Sequence, residues 1–172
     1  KYAGRLLIFA VISQLPYYLA FARNHLAPWY TLNMIFTLFL CLCLMIAEEK
    51  ISDPGKKSLV VLGIIAVSSI CDWAILAPLY TLWFYRAGED PKRRKKAFFI
   101  AALVLGITVT AELPGAAGIA AGAGAMIAVL AAGGCVLVFY NGKKLQKHFL
   151  VKKYFFYVFY PSHLVILALL KI

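Results

Sequence analysis

Acidic residues are scarce in this 172-residue chain, with seven Asp and Glu against 18 Lys and Arg. Charge of either sign is thin, at 15% of residues, while 63% are hydrophobic. An ordinary soluble domain carries about 25% charged residues, so that class is excluded. Cysteine is limited to Cys41, Cys43, Cys71 and Cys135, with no CxxC and no Cys/His ligand spacing, so core thiols are expected and no metal site. The apolar stretches lack period-two alternation, which excludes the strands of a membrane barrel. No signal peptide is visible, and the chain opens on Lys1 and runs directly into an apolar stretch, so an earlier part is expected to be missing.

What is present is apolar length. Mean hydropathy is +0.84. Apolar runs separated by short polar breaks predict an all-α fold, because backbone hydrogen bonding inside lipid forces helices. The expectation is one integral-membrane domain over residues 1–172, a polytopic transmembrane helical bundle. Leu6 to Ala22 reads as the first span, with Pro16 kinking it or ending its regular part early. Trp29 and Tyr30 follow as interfacial anchors. Thr31 to Ala47 is the second span, with Asn33 just inside it, and Glu48 to Lys57 a loop with turn chemistry at Asp53-Pro54-Gly55. Ala97 to Ala111 and Ala116 to Tyr140 are further spans, joined by a turn at Glu112-Leu113-Pro114-Gly115. Gly118 and Gly122 make a close-packing face on the second of them.

Ser58 to Tyr85 is one apolar run interrupted at Cys71-Asp72-Trp73. A single crossing would bury Asp72 in mid-membrane, whereas a hairpin puts it at a turn. Loop charge decides. With the hairpin, all but Arg23 and Lys171 of the 18 Lys and Arg fall on one face, in loops 1–5, 48–57, 86–96 and 141–153. By the positive-inside rule that face is cytoplasmic. About seven helical segments result, including the short hairpin around Asp72. The basic excess is thereby assigned to topology and lipid attraction, and no nucleic-acid partner is expected. Arg23, Asn24, His25, Asn33, Asp72 and Glu112 then lie toward the outer side, and Gln14 and His163 near mid-depth.

The last span, KYFFYVFYPSHLVILALLKI, holds Pro161, Ser162 and His163 at its middle. His163 lies about 15 Å along the helix from Lys153, near the centre of a hydrocarbon core of about 30 Å. An ionisable residue there marks either function or a buried structural partner. A neutral imidazole serves as a general base, and burial keeps it neutral; a structural histidine bonded to a neighbouring helix is the alternative. Asp72 either orients His163, binds an incoming ammonium, or caps a wetted turn. Asn33 and Gln14 are substrate-binding candidates or interhelical hydrogen-bond glue. Tyr160 is a donor to a substrate carbonyl or a packing aromatic.

Several strings occur here together and in order: RLLIFAVISQLPYYLAF from Arg5, NMIFTLFL from Asn33, Asp72-Trp73 before a helix, FYNGKK from Phe139, and KYFFYVFYPSHLVIL from Lys153. In this the chain resembles the TraX family of bacterial membrane proteins, from Arg5 to the C-terminus, the Tyr160-Pro161-x-His163-Leu164 string being the most specific part. That family is named for a conjugal-transfer protein that N-acetylates pilin and is grouped with membrane acyltransferases that use coenzyme A. The resemblance implies a multi-pass protein of the bacterial cytoplasmic (inner) membrane, with acetyl-CoA as co-substrate and an amine of a pilin-like or secreted peptide as acceptor. His163 would then be catalytic with Asp72, and Arg93, Arg94, Lys143, Lys144 and Lys147 would take the phosphates of the co-substrate. Two departures are visible. The family's further N-terminal helices, one with an aspartate-histidine pair, are absent. Its aspartate-tyrosine-glycine pattern reads Asp72-Trp73-Ala74, so the tight backbone at that glycine is expected to be lost. A non-enzymatic assembly scaffold or a small transporter is the alternative reading.

Overall fold

The computed structural model describes residues 2–22, 28–139 and 149–170, with the side chains of 22 and 149–154 left aside. Among the described residues there are seven α-helices: α1 (Tyr2–Tyr17), α2 (Met34–Lys50), α3 (Pro54–Ser68), α4 (Leu76–Ala87), α5 (Pro91–Glu112), α6 (Gly115–Phe139) and α7 (Phe149–Leu170). The all-α expectation and the helix count hold. The chain divides into two compact units, one of residues 1–82 with 145–172 and one of residues 83–144.

Several boundaries move from where hydropathy put them. α1 begins at Tyr2 and opens into a π-turn over Tyr18–Ala22. Pro16 has no N–H to give the Ile12 carbonyl, and the regular helix ends one residue later, as the proline predicts. Asn33 is the N-cap of α2 instead of lying inside it, its side chain accepting from the Ile35 N–H. Asp53-Pro54 is a helix start, not a turn: Asp53 caps α3 by accepting from the Lys56 N–H, with proline at the first helical position. Asp90-Pro91 repeats the device at α5, so most of the expected basic loop 86–96 is helical. Only Gly88 to Asp90 stay outside, between α4 and α5. Phe149 to Lys152, expected in a loop, begin α7; residues 140–148 lie outside the described ones.

The first unit is built around α1, α2 and α7. Leu6, Ala10, Ile35 and Tyr157 form one buried cluster, with Phe9 stacked on Tyr157 at 4.6 Å. Tyr17, Ala20 and Leu164 form a second. Rising numbers on α1 meet rising numbers on α7, so these helices run parallel. Leu44 meets Val61 of α3 and Leu82 of α4 in a third cluster. The chain therefore doubles back between α3 and α4, and the hairpin reading of Ser58 to Tyr85 is correct. Its apex is pinned to the segment before α2: Leu32 N–H donates to the Ile70 carbonyl at 2.8 Å and Asp72 N–H to the Leu32 carbonyl at 2.7 Å.

The second unit is dominated by α5 against α6. A side chain at Gly118 would collide with the carbonyls of Thr110 and Leu113, and one at Gly122 with Thr110 Oγ1 and the Gly106 carbonyl. The predicted glycine face is thus the contact itself. Gly115, with φ of +65°, opens α6, and the turn expected over Glu112-Leu113-Pro114-Gly115 narrows to Leu113-Pro114, Glu112 being the last residue of α5.

The outward surface is apolar. α1 with its π-turn (Tyr2–Phe21) and α6 (Gly115–Phe139) are long and apolar enough to cross a membrane. Along α6 and α7 large apolar residues such as Ile127, Val138 and Leu169 are exposed, as lipid-facing side chains are.

Candidate functional site

Polar side chains of α1, of the residue that caps α2 and of α7 meet where α2 begins. Asn33 is wholly buried. Its Nδ2 donates to the Ala10 carbonyl at 2.7 Å and to Gln14 Oε1 at 2.9 Å, and its backbone N–H donates to the same Gln14 oxygen at 3.0 Å. Gln14 Nε2 donates in turn to the Thr31 carbonyl at 2.9 Å. Asn33 Oδ1 accepts from Ile35 N–H at 2.9 Å, and the Tyr160 hydroxyl oxygen accepts from Met34 N–H at 3.2 Å. A helix start otherwise leaves its first N–H groups orphaned. Here Asn33 and Tyr160 satisfy them from two directions, and α1, α2 and α7 are tied at one point. Asn33 and Gln14 thus tie α1 to the start of α2, and the Tyr160 hydroxyl proton has no acceptor among the described residues.

The second element is the break between α3 and α4. Thr37 Oγ1 donates to the Asp72 carbonyl and Asp72 N–H is held by Leu32, so the backbone of Asp72 is fixed from α2. Trp73 then takes a φ of +57°, an uncommon conformation for a bulky residue that costs about 1–2 kcal/mol. The tight backbone expected to be lost with glycine at position 74 is present, one residue earlier. Trp73 N–H donates to Asp72 Oδ1 at 3.1 Å. Burial pushes the Asp72 carboxyl above its usual range, with the Trp73 bond pulling partly back. Beside this break lies an open cleft of about 460 Å³, with Tyr17, Phe21, Thr31, Asp72, Trp73 and Leu76 among its lining. Tyr17 and Phe21 were not singled out by sequence; the signal was the aromatic-rich stretch just past Pro16.

His163 sits on α7, half-buried. Its Nδ1 lies 3.1 Å from the Phe159 carbonyl, its ring stacks on Phe159 and meets Tyr160 edge-on with centroids 5.2 Å apart. A carbonyl only accepts, so Nδ1 carries the proton and Nε2 keeps its lone pair in the neutral ring. Ser162 Oγ donates to the Val158 carbonyl at 2.7 Å, beside the Tyr157 carbonyl that Pro161 leaves without its helical donor. Through Tyr160, His163 is joined to the knot at Asn33. No hydrogen bond or ion pair joins it to Asp72 among the described residues, and it does not line the cleft.

Of the basic candidates, Arg93 pairs with Asp90 at 3.3 Å and Arg94 with Glu89 at 2.8 Å, and Arg94 Nε donates to the Gly88 carbonyl at 2.5 Å. These contacts join the turn to the first residues of α5. Lys143, Lys144 and Lys147 lie outside the described residues, as do Arg23, Asn24 and His25. Glu112 ends α5 in the second unit. Cys41 and Cys71 are buried as expected of core thiols, but Cys43 is only partly covered and Cys135 is exposed on α6.

Helices whose apolar sides face outward, enclosing a polar knot with a half-buried histidine, define a helical membrane protein with a polar centre in its first unit. The family model for TraX protein matches residues 1–171, and the chain belongs to that family. It is also similar to a probable fimbrial assembly protein, FimC of serogroup H1, from Dichelobacter nodosus, at 32% identity over 185 residues, covering 99% of this chain and 71% of that protein. No solved structure matches the chain.

Proposed function

We propose that this chain is a membrane-embedded acyltransferase that moves an acetyl group from acetyl-CoA to a primary amine, the acceptor being a pilin-like or secreted peptide. The observation that carries the reading is the contact of His163 Nδ1 with the Phe159 carbonyl: with Nδ1 donating there, Nε2 is the nitrogen that can accept a proton in the neutral imidazole. The amine nitrogen attacks the thioester carbon while Nε2 takes its proton. The carbon–sulfur bond then breaks and the coenzyme A thiolate recovers a proton. Tyr160, whose hydroxyl proton has no acceptor among the described residues, donates to the carbonyl oxygen as negative charge builds there. The fimbrial assembly role in the name of the relative supports a pilin-like acceptor.

In this reading the protein is multi-pass in the bacterial cytoplasmic membrane. Lys50, Lys56 and Lys57, at the α2–α3 end of the first unit, face the cytoplasm. The cleft end, with Thr31 and Asp72, faces out. Arg93, Arg94, Lys143, Lys144 and Lys147 take the phosphates of acetyl-CoA, the two arginines exchanging exposed carboxylates for phosphate oxygens.

The test is transfer of radiolabelled acetyl from acetyl-CoA to a peptide amine by protein in nanodiscs. His163→Ala, shown to be folded by an unchanged unfolding transition, is expected to lose about 10²–10⁴-fold in rate. Wild-type rates from that variant overturn the assignment. An unaltered protein that neither transfers acetyl nor gains thermal stability with acetyl-CoA, yet copurifies with an envelope protein, is an assembly scaffold instead.

A further inference from the structure

The carboxylate of Asp72 is placed unlike that of Asp53. Asp53 caps an exposed helix start by accepting from Lys56 N–H. Asp72 lines the cleft, half-buried, and is the one charged group among the described residues that do so. One of its oxygens accepts from Trp73 N–H; the other has no partner among the described residues. Tyr17, Phe21 and Trp73 line the same space. A lone carboxylate with aromatic neighbours matches a compact organic cation, held by charge and by aromatic contact. The volume, about 460 Å³, falls within the range of small-ligand pockets, about 300–1,000 Å³. The left-handed backbone at Trp73 is held against its cost by Leu32 and Thr37, which fix Asp72 and so aim its carboxylate.

We infer that this cleft binds the free ammonium of a peptide amino terminus, with Asp72 as its counter-ion. The inference rests on the amine-acceptor reading above and adds the site at which that amine is first held. Binding is separable from transfer, because the cleft is not lined by His163 and the association needs no acetyl-CoA.

The experiment is fluorescence anisotropy of a lysine-free octapeptide, labelled at its carboxyl end, titrated with the protein in nanodiscs without acetyl-CoA. The peptide with a free amino terminus is expected to bind at least about tenfold more tightly than its N-acetylated form, the loss of one charge-assisted bond. Asp72→Asn, with an unchanged unfolding transition, is expected to erase that difference. If Asp72→Asn does not fold, the free-against-acetylated comparison in unaltered protein still decides. Equal binding of the two peptides overturns the inference. So does an N-acetylated lysine-containing peptide that binds as well as the free amino terminus. Ammonium-selective binding without any acetyl transfer keeps this site and sinks the acyltransferase; transfer by Asp72→Asn with an unchanged KM for the amine does the reverse.

Discussion

At the start of α2, contact between helices is made by what the side chains offer: Asn33 and Gln14 direct their polar atoms at α1, at the segment before α2 and at each other, and Tyr160 reaches across from α7. Along α5 and α6 it is made by what is missing, since Gly118 and Gly122 leave room for carbonyls and Thr110 to sit where a Cβ would be. Both solve one problem. Lipid is as apolar as leucine, so burying apolar surface gives helices no reason to prefer each other, and close backbone contact or hydrogen bonding must supply it. The difference lies in what each leaves behind. The glycine face leaves no chemistry. The polar knot leaves a half-buried tyrosine hydroxyl, a histidine and an aspartate nearby, which is why the candidate site belongs to the first unit.

Gly118→Leu should have the largest effect. Its side chain meets backbone carbonyls, which cannot swing aside, and destabilisation of about 3 kcal/mol or more is expected. Hydrogen exchange should show it in α5 and α6, with Asn33 and its neighbours unchanged; protection lost equally at α2 would refute the separation. Asn33→Leu is the converse. It removes the cap on Ile35 N–H together with the Nδ2 bonds to the Ala10 carbonyl and Gln14 Oε1, and should cost about 2–3 kcal/mol. Exchange should rise at the first turn of α2. Tyr160→Phe leaves only Met34 N–H unsatisfied and should cost about 1 kcal/mol in thermal unfolding, small enough to test its effect on acetyl transfer in folded protein.

The smallest effect concerns pH. Burial raises the folded-state pKa of Asp72 above the ordinary value of 3.8. The folded chain therefore holds this proton more tightly than the unfolded one. The stability it contributes is fully present below 3.8 and is lost as pH rises through the raised value. Asp72→Asn should flatten the stability profile over that acidic window and leave it parallel elsewhere. A variant profile parallel throughout would place the carboxylate in water.

The helices themselves were legible because apolar length and loop charge report depth, and depth fixes how many times the chain turns. The hairpin at Asp72 followed from charge counting alone. Helix starts were less legible. Asp53-Pro54 and Asp90-Pro91 carry the same local chemistry for a turn and for a capped helix, and Lys and Arg are good helix formers, so a basic stretch such as Lys92 to Lys96 reads as a loop by charge yet continues α5. His163 and Asp72 were visible as ionisable residues in apolar surroundings, whereas Tyr17 and Phe21 looked like any other aromatics of a span.

By itself, the sequence determined an all-helical membrane chain of the TraX type, with its glycine face and its polar residues named, because hydropathy, small-residue spacing and motif strings are properties of the order of residues. Only the tertiary structure decided that Asn33, Gln14 and Tyr160 close on one helix start, that the left-handed residue is Trp73, and that Asp72 opens into a cleft apart from His163. Those outcomes depend on which carbonyls and N–H groups of different helices come within hydrogen-bonding distance, and that is set by packing between segments that are far apart in the chain.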